Sequence, residues 1–188
     1  MVPAKKLRVF AASIAVLMTA VLASPQLALA QAPDAPETTI NGLNAKLLDT
    51  MKQAQALGVQ GRYDALAPVL AKTYDIASMS RVAVGQSWQT FRPEQQAAVT
   101  EAFARMMTAT YAKRFDGFSG ETFQIAEITD RPPSDKMVKT RIVQSSGKPV
   151  AINYLMRKTG PQWKICLLYT SDAADDLLCV DLGGRRII

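Results

Sequence analysis

The spacing of apolar residues changes once along this chain, and that change restricts the possible folds more than any other feature. Between residues 39 and 115, apolar side chains recur every three or four positions, which indicates helices. After Gly117 and Gly120 they recur every second position, which indicates strands joined by short turns. Helices followed by consecutive strands predict an α+β fold, with N-terminal helices packed on a curved antiparallel sheet.

Local signals set the limits of the predicted helices. The first helix is expected to end at Gly58, and the second to kink at Pro68. Asp75 is a typical N-cap and Gly85 a typical C-cap, which predicts a short helix between them. Pro93 is expected at the first position of the longest helix, because its fixed φ suits that position.

Four strands are expected in the second half of the chain. Alternating apolar residues and turn signals place them near residues 123–128, 137–143 and 149–158, with a fourth beginning at residue 162. The short turns between them favour antiparallel pairing of neighbouring strands.

Met1–Ala30 has the three parts of a secretory signal. Basic residues come first, the apolar segment 9–22 follows, and Ala28-Leu29-Ala30 forms a small-x-small cleavage site. The apolar segment is shorter than the roughly 20 residues that a spanning helix needs. We therefore expect export with cleavage after Ala30, and residues 31–38, rich in Pro and Ala, are expected to be a linker.

Residues 166–188 are expected to be foreign to the natural protein. Translated back into codons, residues 166–171 fit the mosaic end of transposase-based sequencing libraries, and residues 172–176 fit the adaptor that follows it. Residues 180–188 fit the flow-cell primer sequence in the same reading frame. Both cysteines of the chain lie in this segment, so they predict no disulfide for the domain at residues 39–165.

The absence of histidine excludes several catalytic systems, and nothing else in the sequence points to an enzyme. Serine or cysteine nucleophiles paired with histidine, and histidine metal sites, are ruled out, so we expect no catalytic residue, metal or cofactor. Asp116, Glu121, Glu127 and Asp130 are possible general bases, but carboxylates in loops and at helix ends usually lie on the surface. The net charge of +6 is scattered, without the basic stripe that nucleic-acid binding requires.

Large apolar side chains remain as candidates for a binding site. At helical and strand spacing they fit either a plain core or the walls of a cavity, and the spacing alone favours the core. They are Trp88, Phe91, Phe103, Met107, Tyr111, Phe115, Ile152, Tyr154 and Met156.

The order and spacing of several short motifs resemble a known family. The motifs are Tyr74-Asp75-Ile76, Val84-Gly85-x-x-Trp88, Pro93-Glu94-Gln95-Gln96, Val138-Lys139-Thr140-Arg141, the strand at residues 149–156, and Trp163-Lys164-Ile165. Over residues 63–165 the chain resembles the MlaC-like family of periplasmic phospholipid-binding proteins, also called the toluene-tolerance family. Residues 62–69 and 115–118 further resemble its hopanoid-associated branch.

The resemblance implies a non-enzymatic periplasmic carrier for a phospholipid or a hopanoid-type lipid. It also implies that the large apolar residues named above line the lipid site, and that the partners are an inner-membrane ABC lipid transporter complex and an outer-membrane partner. Family members continue with C-terminal helices where residues 166–188 stand here, so the lipid-binding domain is expected to be truncated and those helices missing. Arg81, Arg92, Lys113 and Arg114 are candidates for contact with a headgroup or an acidic partner, or for a solvated surface.

Two other functions stay open on the sequence. One is an interaction module that docks on a transporter without holding lipid. The other is a cone-shaped isomerase-type enzyme, which would need a buried carboxylate facing a closed cavity.

Overall fold

A computed structural model of the chain describes residues 35–144, 147 and 149–170. The expected signal segment, most of the linker and the tail beyond residue 170 lie outside these residues. Four α-helices and a 3₁₀ helix precede four strands, which confirms the α+β prediction. The elements are α1 Pro36–Lys52, α2 Ala54–Thr73, α3 Ile76–Val84, the 3₁₀ helix Gly85–Thr90, α4 Pro93–Arg114, β1 Thr122–Arg131, β2 Asp135–Val143, β3 Val150–Thr159 and β4 Gln162–Thr170.

The first two helices differ from the prediction. The expected break at Gly58 is present, since the backbone leaves helical dihedrals there, but the helix expected to reach it is interrupted earlier. It ends at Lys52, and Gln53 separates it from α2. Apolar spacing continues across Gln53, so the sequence pattern shows no break there. Within α2 the backbone leaves helical dihedrals at Gly58 and not at Pro68, so the kink lies at the glycine. Its φ of 60° and ψ of −177° are readily adopted only by glycine.

The limits of α3 and α4 follow the predicted capping chemistry. Asp75 caps α3, since its Oδ1 accepts a hydrogen bond from the backbone N–H of Ser78 at 3.1 Å. Gly85 ends the same helix with a positive φ of 67°. Pro93 begins α4 as expected.

The sheet has the strand order β1-β2-β3-β4, and all neighbours pair antiparallel. Val138 lies opposite Tyr154 and Thr140 opposite Ile152, so these side chains share one face. The register shifts between Ile125 and Glu127 in β1 and between Leu155 and Met156 in β3. Such irregularities bend a strand and increase its local twist.

The hydrophobic core lies between the helices and one face of the sheet, called here the inner face. The sheet contributes Val138, Tyr154, Met156, Ile165 and Leu168, and the helices contribute Ile40, Leu43, Leu47, Leu66, Leu70, Met79 and Met107. Leu168 is thus a core residue although it belongs to the segment that the sequence indicates as foreign. Cys166 of that segment is also buried, and its thiol donates to the backbone oxygen of Leu155 at 3.3 Å.

The helices are tied to the sheet at β4. The Thr39 hydroxyl donates to the backbone oxygen of Trp163 at 3.0 Å, which attaches the start of α1. The backbone N–H of Asp75 donates to the oxygen of Ile165 at 2.8 Å, and Tyr74 forms a parallel bridge with Ile165. Among the described residues, no helix has both the length and the apolar character needed to cross a membrane.

Candidate functional site

Most of the candidate residues from the sequence meet around the core. Met107, Tyr111, Tyr154 and Met156 are all buried in the same cluster. Phe103, Phe115 and Ile152 are half-buried and pack against that cluster. The structure therefore brings seven of the candidates together in or against one apolar cluster.

Trp88 and Phe91 stand apart from this cluster. Trp88 lies in the 3₁₀ helix and Phe91 follows it, and their ring centroids are 6.4 Å apart. Both are half-buried, and neither belongs to the core or to the residues packed against it. The Gln96 side chain donates to the backbone oxygen of Trp88 at 3.0 Å and to that of Phe91 at 3.3 Å. This aromatic pair is thus fixed to the first turn of α4.

Three tyrosine hydroxyls lie inside the core. The hydroxyls of Tyr74 and Tyr111 form a hydrogen bond, and their rings meet edge to face with centroids 6.2 Å apart. Burial raises the pKa of Tyr111 to about 12, although its hydrogen bond with Tyr74 acts in the lowering direction. Burial also raises the pKa of Tyr74 and Tyr154, so all three phenols stay neutral at ordinary pH.

A row of aromatic rings leads from these tyrosines to the first strand. Tyr111 stacks on Phe115 with centroids 5.4 Å apart, and Phe115 lies 6.3 Å from Phe123. Phe115 comes directly after α4 and Phe123 lies near the start of β1. The row therefore connects the fully buried core to a less covered part of the inner face.

This less covered part is formed by half-buried apolar residues. Phe123, Ile125 and Ile128 of β1 lie opposite Ile142, Thr140 and Val138, so they share the inner face with buried residues of β2. Ile152 lies opposite Thr140 on the other side. We call Phe115, Phe123, Ile125, Ile128 and Ile152 the apolar strip; all are half-buried.

The sequence candidates included two residues of the apolar strip, Phe115 and Ile152, and missed the three in β1. Alternation in β1 does show that Phe123 and Ile125 share a face. It does not show that this face is less completely covered at the sheet edge than in the middle. Tyr74 was missed as well, because a tyrosine at a helix end gives no sign of its distant partners.

Of the possible general bases, Glu121 accepts from the backbone N–H of Ser119 at 2.6 Å and Asp130 pairs with Lys136 at 2.5 Å. Glu127 pairs with Lys139 at 2.7 Å, and both Asp135 oxygens accept from the guanidinium of Arg157 at 2.8 and 2.6 Å. Within the part of the chain that the structure describes, no cluster of His, Cys, Asp or Glu is arranged to hold a metal ion. What the described geometry provides is an apolar surface continuous with a core that contains neutral phenols.

Comparison with known proteins agrees with this geometry. The family model described as "MlaC protein" matches residues 41–168. A solved structure with the same fold is that of a phospholipid-binding protein from Ralstonia solanacearum in complex with a phospholipid. It is 21% identical, with a TM-score of 0.64, over 72% of this chain and 78% of that one. No curated protein matches the chain.

Proposed function

Because the chain belongs to the MlaC protein family, whose model spans residues 41–168, we propose that it is a periplasmic carrier of phospholipid. In this function the protein holds the acyl chains of one lipid against its apolar strip and leaves the headgroup in water. It binds and releases lipid and performs no chemical step on it.

The observation that carries the proposal is the incomplete cover of the apolar strip. Phe123, Ile125 and Ile128 face the same side as the fully buried Val138, yet all three keep part of their surface exposed. Large apolar residues that remain partly exposed together on one face often mark a ligand site or an interface. Here they adjoin Phe115 and Ile152, so that an acyl chain lying along them would complete the cover of the core.

The energetics favour such a site. Each methylene group removed from water contributes roughly 0.8 kcal/mol. An acyl chain can therefore gain many times the energy of a single hydrogen bond from a surface that offers only apolar contact. A carrier needs no charged or nucleophilic group for this purpose, which agrees with a chain that contains no histidine.

The class of lipid is proposed from the solved relative, which was determined with a bound phospholipid. A hopanoid-type lipid is the alternative, since residues 62–69 and 115–118 resemble the hopanoid-associated branch. The resemblance also supports a role as the substrate-binding component of an ABC-type intermembrane lipid transport system. In that role the protein exchanges lipid with an inner-membrane transporter complex and with an outer-membrane partner.

The proposal is tested by the lipid that accompanies the full chain when it is expressed and recovered from the periplasm. Native mass spectrometry and lipid extraction should give about one phospholipid or hopanoid per protein. Ile125→Asp places a charge in the middle of the apolar strip, so this variant should carry at least ten-fold less lipid. Gln124→Asp is the matched control, because Gln124 is the exposed neighbour on the opposite face of the same strand, and it should carry the normal amount.

Two outcomes would count against the carrier. Protein that is recovered folded but without lipid, and that takes up none from added vesicles, would favour a docking module that holds no lipid. Equal lipid content in Ile125→Asp and Gln124→Asp would show that the lipid does not occupy the apolar strip.

A further inference from the structure

A long stretch in the middle of the domain contains no buried residue. From Arg81 to Met106, through the end of α3, the 3₁₀ helix and the first two thirds of α4, every side chain is half-buried or exposed. We call residues 81–106 the helical arm. The fully buried core resumes at Met107, and within the arm Phe103 packs against it while remaining half-buried.

The arm is nevertheless apolar along α4. Val99 and Phe103 are half-buried, and Met106 is 54% exposed although it is a large apolar side chain. Their spacing of four and three positions places them along one side of the helix. Met106 is the exposed member of this apolar stripe, so the stripe offers a contact for another apolar phase at that residue.

The tip of the arm carries two aromatic side chains. Trp88 lies in the 3₁₀ helix and Phe91 directly follows it, and their rings are neighbours with centroids 6.4 Å apart. The bonds from Gln96 to both of their backbone oxygens hold the tip in place. The pair is therefore presented together by a fixed element.

Two arginines flank the tip, and the first acidic residue after them is Glu94 in the first turn of α4. Arg81 and Arg92 flank the aromatic pair and are exposed, whereas no acidic residue occurs between Asp75 and Glu94. Tryptophan with flanking arginines is typical of segments that rest in the headgroup region of a membrane. Anionic lipid headgroups attract the arginines, and the aromatic rings gain from shallow burial among the acyl chains.

We propose that the helical arm docks directly on the surface of an anionic lipid bilayer, with Trp88 and Phe91 inserted at the interface. This goes beyond the proposed carrier function, because the surface that approaches the bilayer differs from the strip that holds one lipid. Docking would bring the apolar stripe of α4 close to the bilayer. The stripe would then connect the membrane with the core, against which Phe103 packs.

A bilayer suits these features better than a protein partner does. The tip offers two half-buried aromatic rings flanked by arginines, which matches shallow interfacial insertion. A stable protein interface usually buries a larger area with a well-packed centre. Self-association through the α4 stripe and docking on another protein are thus outcomes that the experiment has to separate.

The two tryptophans of the chain allow a direct test. In a Trp163→Phe variant of the full chain, fluorescence reports on Trp88 alone, and in Trp88→Phe it reports on Trp163. Vesicles of phosphatidylglycerol and phosphatidylcholine with brominated acyl chains should quench Trp88 several times more strongly than Trp163. Pure phosphatidylcholine vesicles should quench Trp88 weakly, because they do not attract the arginines.

Flotation with the same vesicles measures the strength of docking. Phe91→Ala should weaken it about ten-fold through lost apolar contact. Phe118→Ala is the matched control, because Phe118 is an aromatic residue 42% exposed outside the arm, and it should float normally. Arg81→Gln should weaken docking about five-fold, and Lys46→Gln, an equal loss of charge on α1, should not.

The possible results distinguish docking on a bilayer from the binding of a single lipid. Quenching that remains with the protein after the vesicles are removed would show lipid extraction instead of docking and would overturn the proposal. Co-purified lipid combined with no flotation would also overturn it and leave the carrier function intact. Loss of self-association in Phe91→Ala, without any vesicle binding by the unchanged protein, would assign the arm to contact between two copies.

Discussion

At the scale of single residues, Arg62 joins parts of the chain that are far apart. It is buried, and its Nε donates to the backbone oxygen of Ala112 while Nη1 donates to that of Ala54, each at 2.8 Å. One oxygen belongs to the last turn of α4 and the other to the first turn of α2. Arg62 thus satisfies one carbonyl in the last turn of α4, where intrahelical donors run out, and one at the start of α2, four residues before the non-helical Gly58.

We expect Arg62→Met to lower the free energy of unfolding by about 2 kcal/mol, because two hydrogen bonds from a charged donor are lost inside the protein. Urea unfolding followed by circular dichroism would measure the change. Arg105→Met is the control, since Arg105 is exposed and pairs only with Glu101, so it should cost less than about 0.5 kcal/mol. Equal effects of the two substitutions would contradict the role given to Arg62.

The buried phenols predict a loss of stability at alkaline pH. The pKa of Tyr111 is about 12 in the folded protein because of burial, against about 10 in an unfolded chain. A raised folded pKa stabilises the protein below pH 10, and this stabilisation is lost as the pH rises toward 12. Between pH 9 and pH 11 the free energy of unfolding should fall by about 1 kcal/mol through Tyr111 alone.

Tyr111→Phe isolates this effect. Urea unfolding at both pH values should show a smaller fall in the variant than in the unchanged protein. If both proteins lose the same stability between pH 9 and pH 11, the phenol of Tyr111 does not titrate as its burial requires.

Residue by residue, the sequence predicted which large apolar side chains lie together better than it predicted their contacts. Met107, Tyr111, Tyr154 and Met156 were candidates from their spacing and size, and all lie in one cluster. The contact between Tyr74 and Tyr111 spans 37 positions. No local pattern encodes it, because it depends on how the end of α2 meets α4.

At the scale of elements, helix limits that depend on capping were predictable and the break inside the first helical region was not. The caps Asp75 and Gly85 are local chemistry, and α3 ends where they indicate. The break at Gln53 has no such signal, since Gln is an ordinary helix residue and apolar spacing continues through it. The break follows from packing α1 and α2 over the sheet, which a local pattern does not contain.

Two glycines provide a matched test of this region. Gly58→Ala should lower the free energy of unfolding by about 1 kcal/mol, since the positive φ of 60° is costly for any residue with a Cβ. Gly42→Ala should raise it by about 0.5 kcal/mol or more, because Gly42 lies inside α1 and a Cβ there meets no atom within 4 Å. Thermal and urea unfolding measure both, and a stabilising Gly58→Ala would show that the kink is not required.

At the scale of the whole molecule, the attachment of the helices to β4, at one edge of the sheet, is matched by the partial exposure of β1 at the other edge. The bonds of Thr39 and Asp75 hold the helices over the last strand, and the inner face is less covered toward the opposite edge. Alternation in the sequence predicted the sheet and its inner residues. It did not predict which edge stays open, because that depends on where the helices are attached.

Filling the apolar strip should therefore stabilise the whole domain. Phospholipid present at about one hundred times its dissociation constant should add about 2.7 kcal/mol to the free energy of unfolding. Calorimetry of lipid-loaded and delipidated protein should show a melting temperature higher by several degrees in the loaded form. The Ile125→Asp variant should show no such difference, and an equal rise in that variant would contradict binding at the strip.

The tie between α1 and β4 has a consequence for the time at which the chain folds. Thr39 and Trp163 are separated by 124 positions, and the bridge at Tyr74 also waits for Ile165. While the chain is being synthesised from its N-terminus, the helices lack their attachment to β4 until these late residues emerge. Contacts between residues so distant in sequence make folding slow. A chain that is still unfolded at the end of its synthesis can be threaded through a narrow translocation channel.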